Sequence, residues 1–177
     1  MKVVTTTRVS DELRWADEDN QLEIVTNIIA DQTAAIGRAL DYVVYHAVSP
    51  KTGTALDGYT ALTAGANAVT ASASAVDDID ALADALIDYD INGFALSRKF
   101  AADLRKLRVP ATGQRLYPEI PLSLNAGNID GIPAATSGTV NGRRCKIDPK
   151  VAGIMGDFST IKWGMVRDMT SEIIEYG

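Results

Sequence analysis

The stretch Asp19–Ala47, DNQLEIVTNIIADQTAAIGRALDYVVYHA, constrains this chain more than any other. Leu22, Val25, Ile29, Ile36, Leu40 and Val43 recur at helical steps, which gathers them on one face. Only Gly37 interrupts the run, at about 1 kcal/mol relative to alanine. At ~1.5 Å per residue the helix is a rod of roughly 43 Å, long beside the globular average of about 11–12 residues. A rod of that length lies along something, and the spacing predicts that Ile29 and Ile36 face a core. Asp17-Glu18-Asp19-Asn20 supplies a cap at its start. Ser49-Pro50 ends it, because proline disfavours helical geometry in the residue before it.

The remaining segments alternate helix and strand signals. Met1–Val9, rich in Val and Thr, suits a strand, and Ser10-Asp11-Glu12 offers a short helix or turn. A loop with turns at Thr52-Gly53 and Asp57-Gly58 follows the long helix. The small, polar run Thr63–Ala75 reads as an ordered but flexible connector. Asp77 is the expected cap of a helix with Ile79, Leu82, Ala83, Leu86 and Ile87 inward, ending near Asn92-Gly93. Phe94-Ala95-Leu96 reads as a short buried strand, and Ser97 as the cap of a third helix with Phe100, Ala101, Leu104 and Leu107 inward. Ala111–Asn128 is irregular, and a loop this long usually has a job. Ile129–Ala135, Val151–Met155, Ile161–Arg167 and Thr170–Tyr176 read as strands, with a turn at Asn141-Gly142. The sum is an α+β chain with helices early and strands late, and no internal repeat is evident.

With 177 residues the chain can bury one substantial core or two small ones. Its 46% hydrophobic and 23% charged content is that of an ordinary soluble globular protein. No run approaches the ~18 apolar residues of a membrane span, and no secretory signal is expected. Seventeen Lys and Arg against 23 Asp and Glu give a formal charge of −6, which disfavours a groove that grips nucleic acid. The basic clusters are Arg98–Lys99, Arg105–Lys106–Arg108 and Arg143–Arg144, of which the first two read as the solvated face of one helix.

No enzyme constellation emerges. His46, the single histidine, sits near the end of the long helix, and no set of His, Cys and acids has metal-ligand spacing. The single cysteine, Cys145, follows Arg143-Arg144, a neighbourhood of the kind that can lower a thiol pKa, but a nucleophile needs an oriented base. Lys51-Thr52-Gly53 and Ser159-Thr160-Ile161-Lys162 mimic the K-T-G and S-x-x-K of penicillin-recognising enzymes, in reversed order and without S-D-N. The pairs Asp77/Asp78, Asp88/Asp90 and Glu172/Glu175 fit caps and solvated edges. Glycine-rich phosphate loops and EF-hand loops are absent. Catalytic, cofactor-binding and metal residues are therefore all expected to be none.

The order of the pieces resembles the central part of the major capsid (major head) protein family of tailed bacteriophages. Arg8-Val9-Ser10-Asp11-Glu12-Leu13 is similar to that family's passage from its extended loop into the long spine helix. Ala39–His46 followed by Pro50-Lys51-Thr52-Gly53 is similar to the helix exit. Phe94–Ser97 with Phe100, Leu104 and Leu107, before Gly113–Tyr117, resembles the strand and helix of the axial domain. Gly131-Ile132-Pro133 and Ile154–Phe158 resemble the late strands and turn.

The resemblance implies a capsid-type α+β fold in which residues 1–60 belong to a peripheral domain with the spine helix, and residues 61–177 form an axial-type domain. It also implies a fragment, lacking the extended loop and the returning peripheral strand. The function it implies is a shell subunit of a phage or prophage head that joins copies of itself into pentamers and hexamers around double-stranded DNA. It further implies a place in the virion after assembly in the host cytoplasm, with scaffold, portal and maturation protease as further partners and no membrane. Ala111–Asn128 would form the axial tip. Two alternatives stay open: an encapsulin-like compartment shell, and a small hydrolase or binding module, for which a cleft joining His46 and Cys145 or facing Ser159 would be the sign.

Overall fold

The computed structural model describes residues 3–10, 12, 23–141, 151–162 and 164. The expectations placed on Asp17–Asn20, Leu22, Gly142, Arg143–Cys145 and the strand Thr170–Tyr176 lie outside these residues, as do most of Ile161–Arg167 and part of the passage Arg8–Leu13. The chain divides into two units, Met1–Leu40 with Trp163–Gly177, and Asp41–Lys162.

In the first unit, residues 3–10 make no strand ladder among the described residues. Val and Thr favour a pleated surface only where a second strand completes it. Instead Thr7 accepts a hydrogen bond from Gln32 Nε2 at 3.0 Å. Helix α1, Ile24–His46, carries 23 residues and runs from this unit into the second. The helix is as predicted, but its burial is not. Only Tyr42 and Val43 are buried. Val25, Ile29, Leu40 and Val44 are 40–45% exposed and Ile36 is half-buried. Among the described residues the expectation that Ile29 and Ile36 face a core thus fails for Ile29, while Ile36 is half-buried: periodicity finds an apolar stripe but not what covers it. The helix ends at Ala47 in the left-handed conformation, φ 51°, whose amide bonds Val43 O at 2.9 Å.

The second unit is built on a four-stranded mixed sheet. Strands β1 Gly93–Ser97, β2 Asn128–Ile129, β3 Ile132–Ser137 and β4 Gly153–Gly156 lie in the order β2-β3-β1-β4. β1 runs parallel to β3, with Phe94 opposite Ala134, and antiparallel to β4, with Phe94 opposite Met155. Parallel neighbours need a long crossover, and α3, Arg98–Lys106, begins it. Ser97 ends β1 and caps α3 at once, accepting from Phe100 N at 3.2 Å. Phe94 and Leu96 share one face of β1 and join Phe100, Leu104, Ile129 and Met155 in the core. Ala95 and Ser97, on the other face, are buried too.

Three local expectations are corrected. The cap of α2, Ala75–Asp84, is Ser74 rather than Asp77, whose amide it accepts. After Asp84 the helix loosens into turns, with Leu86 N to Ala83 O, Ile87 N to Asp84 O and Tyr89 N to Leu86 O. Such three-residue steps rotate Ile87 off the inward stripe, and it is 80% exposed. The single strand Ile129–Ala135 is instead a hairpin. Asp130 and Gly131 both take positive φ, 50° and 84°, as a type I′ turn demands. Within Ala111–Asn128, Tyr117, Ile120 and Ala126 are buried in the core, so the irregular loop is a packed wall.

A short repeat also appears. After α1, Ser49-Pro50-Lys51-Thr52-Gly53-Thr54 closes with Ser49 N to Thr54 O at 2.9 Å and Gly53 N to Ser49 O at 2.7 Å. After α3, Val109-Pro110-Ala111-Thr112-Gly113-Gln114 closes with Val109 N to Gln114 O at 2.9 Å and Gly113 N to Val109 O at 2.8 Å. Each threonine hydroxyl accepts the amide two residues on, at 3.4 Å in both loops. Bridges Val48–Ala55 and Arg108–Arg115 complete the match. Both glycines have left-handed backbones, φ 75° and 68°. Gly53→Ala and Gly113→Ala are each expected to lower stability by about 1–2 kcal/mol. Urea unfolding of the two variants checks this, and a wild-type midpoint for either would contradict the equivalence.

Candidate functional site

Polar groups converge where the end of α1 meets the end of β3. Helical spacing sets Asp41, Tyr42, Tyr45 and His46 around the last turn of α1. Thr139, 1% exposed, is the hub. Its hydroxyl donates to Asp41 Oδ2 at 3.0 Å and lies 2.6 Å from Ser137 Oγ, which also accepts the Thr139 amide at 3.1 Å. The Thr139 carbonyl lies 2.9 Å from His46 Nε2. A carbonyl only accepts, so Nε2 carries the proton. The His46 ring also contacts those of Tyr42 and Tyr45. Burial, followed by the Asp41 carboxylate, pushes the Tyr45 phenol above its ordinary pKa.

Serine, histidine and aspartate are thus close together, but their wiring is not catalytic. In a catalytic triad the carboxylate orients the histidine and the histidine meets the nucleophile, whereas here Asp41 accepts from Thr139 and His46 Nε2 binds a backbone carbonyl. The network is a lock between a helix and a strand, and spacing along the chain gave no sign of it.

The other sequence-predicted groups stay apart. The Ser159 hydroxyl donates to Asp157 Oδ1 at 2.6 Å rather than meeting Lys162. With the Ser159 amide and Asn92 it holds the Asp157 carboxyl below the usual range. Phe158–Thr160 is a short 3₁₀ turn, not a helix start that could carry an S-x-x-K site. Asp78 is buried and accepts the Ser72 amide at 2.7 Å, tying down the small-residue connector. Asp88 and Asp90 are exposed. Among the described residues, no group of His, Cys, Asp and Glu could hold a metal ion.

An open groove of about 270 Å³ lies between the connector and α2, lined by Asn67, Leu82, Leu86, Tyr89 and Met155 among others. It is below the ~300–1,000 Å³ of ligand pockets and lacks convergent charges. Beneath the irregular loop, the buried Tyr117 hydroxyl lies in the field of the Asp130 carboxylate of the hairpin turn. What the described surface offers instead is exposed apolar side chains: the α1 stripe, Ile87, Tyr89 and Leu122.

Comparison with known proteins decides what such a chain is. The family described as phage capsid protein matches residues 2–176. The chain belongs to the phage capsid protein family. A solved structure from Mycobacterium phage Ogopogo is 32% identical, with a TM-score of 0.72 over 86% of this chain and 55% of that one. One from Gordonia phage Cozz is 25% identical, with a TM-score of 0.62 over 78% of this chain and 46% of that one. No curated protein matches. The chain therefore spans about half the length of the solved chains it matches.

Membership makes this a structural rather than a catalytic protein, and the α+β capsid fold expected from the resemblance is the fold observed. No helix among the described residues is long and apolar enough to cross a membrane. In this capsid protein the Tyr117–Asp130 contact is a pH-sensitive part of the scaffold. Burial, then Asp130, Asp80 and Glu119, push the Tyr117 pKa from 10.0 to about 12. The raised pKa means that the folded state favours the neutral phenol. That contribution is whole below pH 10.0 and fades as pH rises toward 12. Tyr117→Phe should unfold more easily near neutrality by about 1 kcal/mol and show a shallower alkaline loss. Urea titrations below and above pH 10 would contradict this if both proteins lost stability in parallel.

Proposed function

We propose that this protein is a shell subunit of a phage or prophage head, which associates with copies of itself into pentamers and hexamers and then into a closed icosahedral container for double-stranded DNA. The match of the capsid family over residues 2–176 carries the reading. The open α1 stripe supports it, because exposed apolar patches mark association surfaces. The charge of −6 fits a wall that encloses DNA without gripping its phosphates. In this reading residues 1–60 belong to the peripheral part of the subunit and residues 61–177 to its axial-type part, with the loop Ala111–Asn128 at the axial tip. Scaffold, portal and maturation protease are its transient partners. Assembly takes place in the host cytoplasm and the product resides in the virion.

Phage sources for both solved structures favour a head over an encapsulin-like compartment. Negative-stain microscopy of the whole protein, expressed in bacteria with its neighbouring phage genes, is expected to show closed shells of uniform diameter. Subunits that remain dispersed under those conditions would overturn the reading.

A further inference from the structure

Charge within the second unit is sorted by sign. The segment Asp77–Asp90 contains six aspartates and no basic residue, and all but Asp78 are exposed. Directly after β1, α3 and its following loop carry Arg98, Lys99, Arg105, Lys106, Arg108 and Arg115 against Asp103 alone. Among the described residues no ion pair joins the two groups. The ion pairs among the described residues join Asp103 to Lys99 and to Lys106, at 3.1 Å each, and both lie inside α3. Arg98 and Arg108 donate to backbone carbonyls of Ser123, Arg105 and Leu107. On α2, Asp80 and Asp84 stand four residues apart, a like-charge spacing that weakens a helix. The acidic segment also displays Ile87 and Tyr89, 80% and 68% exposed. The basic side displays Leu116 and Leu122.

We propose that the acidic segment Asp77–Asp90 of one copy docks on the α3 surface of the next copy. This rests on the shell-subunit reading and names the surface that joins neighbours within a ring. The partner is a second copy because one chain carries both complementary signs, on α2 with its following turns and on the neighbouring α3, and a head-to-tail contact joins two different patches of the same chain. Ile87 and Tyr89 are the anchors that lose water, since apolar and aromatic side chains near the centre of an interface carry most of its affinity. The surrounding charges steer the approach and fix the register. A nucleic acid would match the basic surface but leaves the acidic one, with its two apolar residues, unexplained.

Two charge-reversed versions of the full chain test this. One carries Asp84→Lys, Asp88→Lys and Asp90→Lys, which suits the end of α2 because cations are favoured near a helix C-terminus. The other carries Arg98→Glu, Arg108→Glu and Arg115→Glu. Each alone abolishes the charge complementarity of the contact, by neutralising the acidic segment or by cancelling the positive charge of the α3 surface, and should associate at least tenfold more weakly than wild type by sedimentation velocity. In an equimolar mixture the unaltered acidic segment of the arginine-reversed protein meets the unaltered α3 surface of the aspartate-reversed one, so one-to-one pairing of the two proteins should recover. The neutral set Asp84→Asn, Asp88→Asn and Asp90→Asn, which changes little in shape, should flatten the salt dependence of wild-type assembly. Wild-type shells together with normal shells from both reversed proteins would overturn the docking alone. Normal shells from the arginine-reversed protein that retain less DNA would assign α3 to nucleic acid and overturn it as well. A mixture that fails to recover although both proteins melt like wild type would do the same. A wild type that never associates would remove the shell reading itself.

Discussion

Burial of β1 on both faces is the constraint on which the second unit depends. Leu96 is fully buried, and Phe94, Ala95 and Ser97 are all below a tenth exposed. A strand covered on both sides reads as an unbroken run of apolar and small residues, and Gly93–Ser97 is one. Everything else in the unit is arranged to cover it. β3 and β4 take its two edges. α2, α3 and the wall formed by Tyr117, Ile120 and Ala126 close the core on the Phe94 side. Ser97 lets the chain turn from strand into helix without leaving an amide of the first turn unpaired. A core substitution such as removing Leu96 would therefore be felt in three elements at once.

Elements whose identity is set by local chemistry could be read from the sequence. The body of α1, the strand at Phe94, the Ser97 cap and the inward side chains Phe100, Ala101 and Leu104 of α3 lie where their patterns put them. So did the family, through the order of those pieces. The misses share a cause: each depended on something distant or on a rival local signal. Val and Thr in the first residues needed a partner strand. Ser74 competed with Asp77 for the same cap and won, because its hydroxyl reaches the third amide of α2. Asp130-Gly131 is a hairpin signal that the strand pattern around it hid. The Asp41–Thr139–His46 lock joins residues nearly a hundred positions apart, and no spacing rule reaches that far. The twin Pro-x-Thr-Gly loops share too few residues to register as a repeat until their hydrogen bonds are compared.

α1 follows a different logic from β1. Its 23 residues carry an apolar stripe, yet only Tyr42 and Val43, beside the lock to Thr139, are buried. Helices in proteins owe little of their stability to propensity and most to the face they bury. On the shell-subunit proposal, the exposed part of α1 is where contacts between copies would add stabilisation. The sequence shows the stripe, and among the described residues much of it is exposed.

Hydrogen exchange on free and assembled protein tests this division of labour most directly. The amides of Phe94–Ser97 should exchange slowly in both states, because β1 depends only on its own subunit. Those of Ile24–Leu40 should exchange far faster in the free subunit and become protected on assembly. Equal protection of α1 and β1 in the free subunit, with no gain on assembly, would contradict the account.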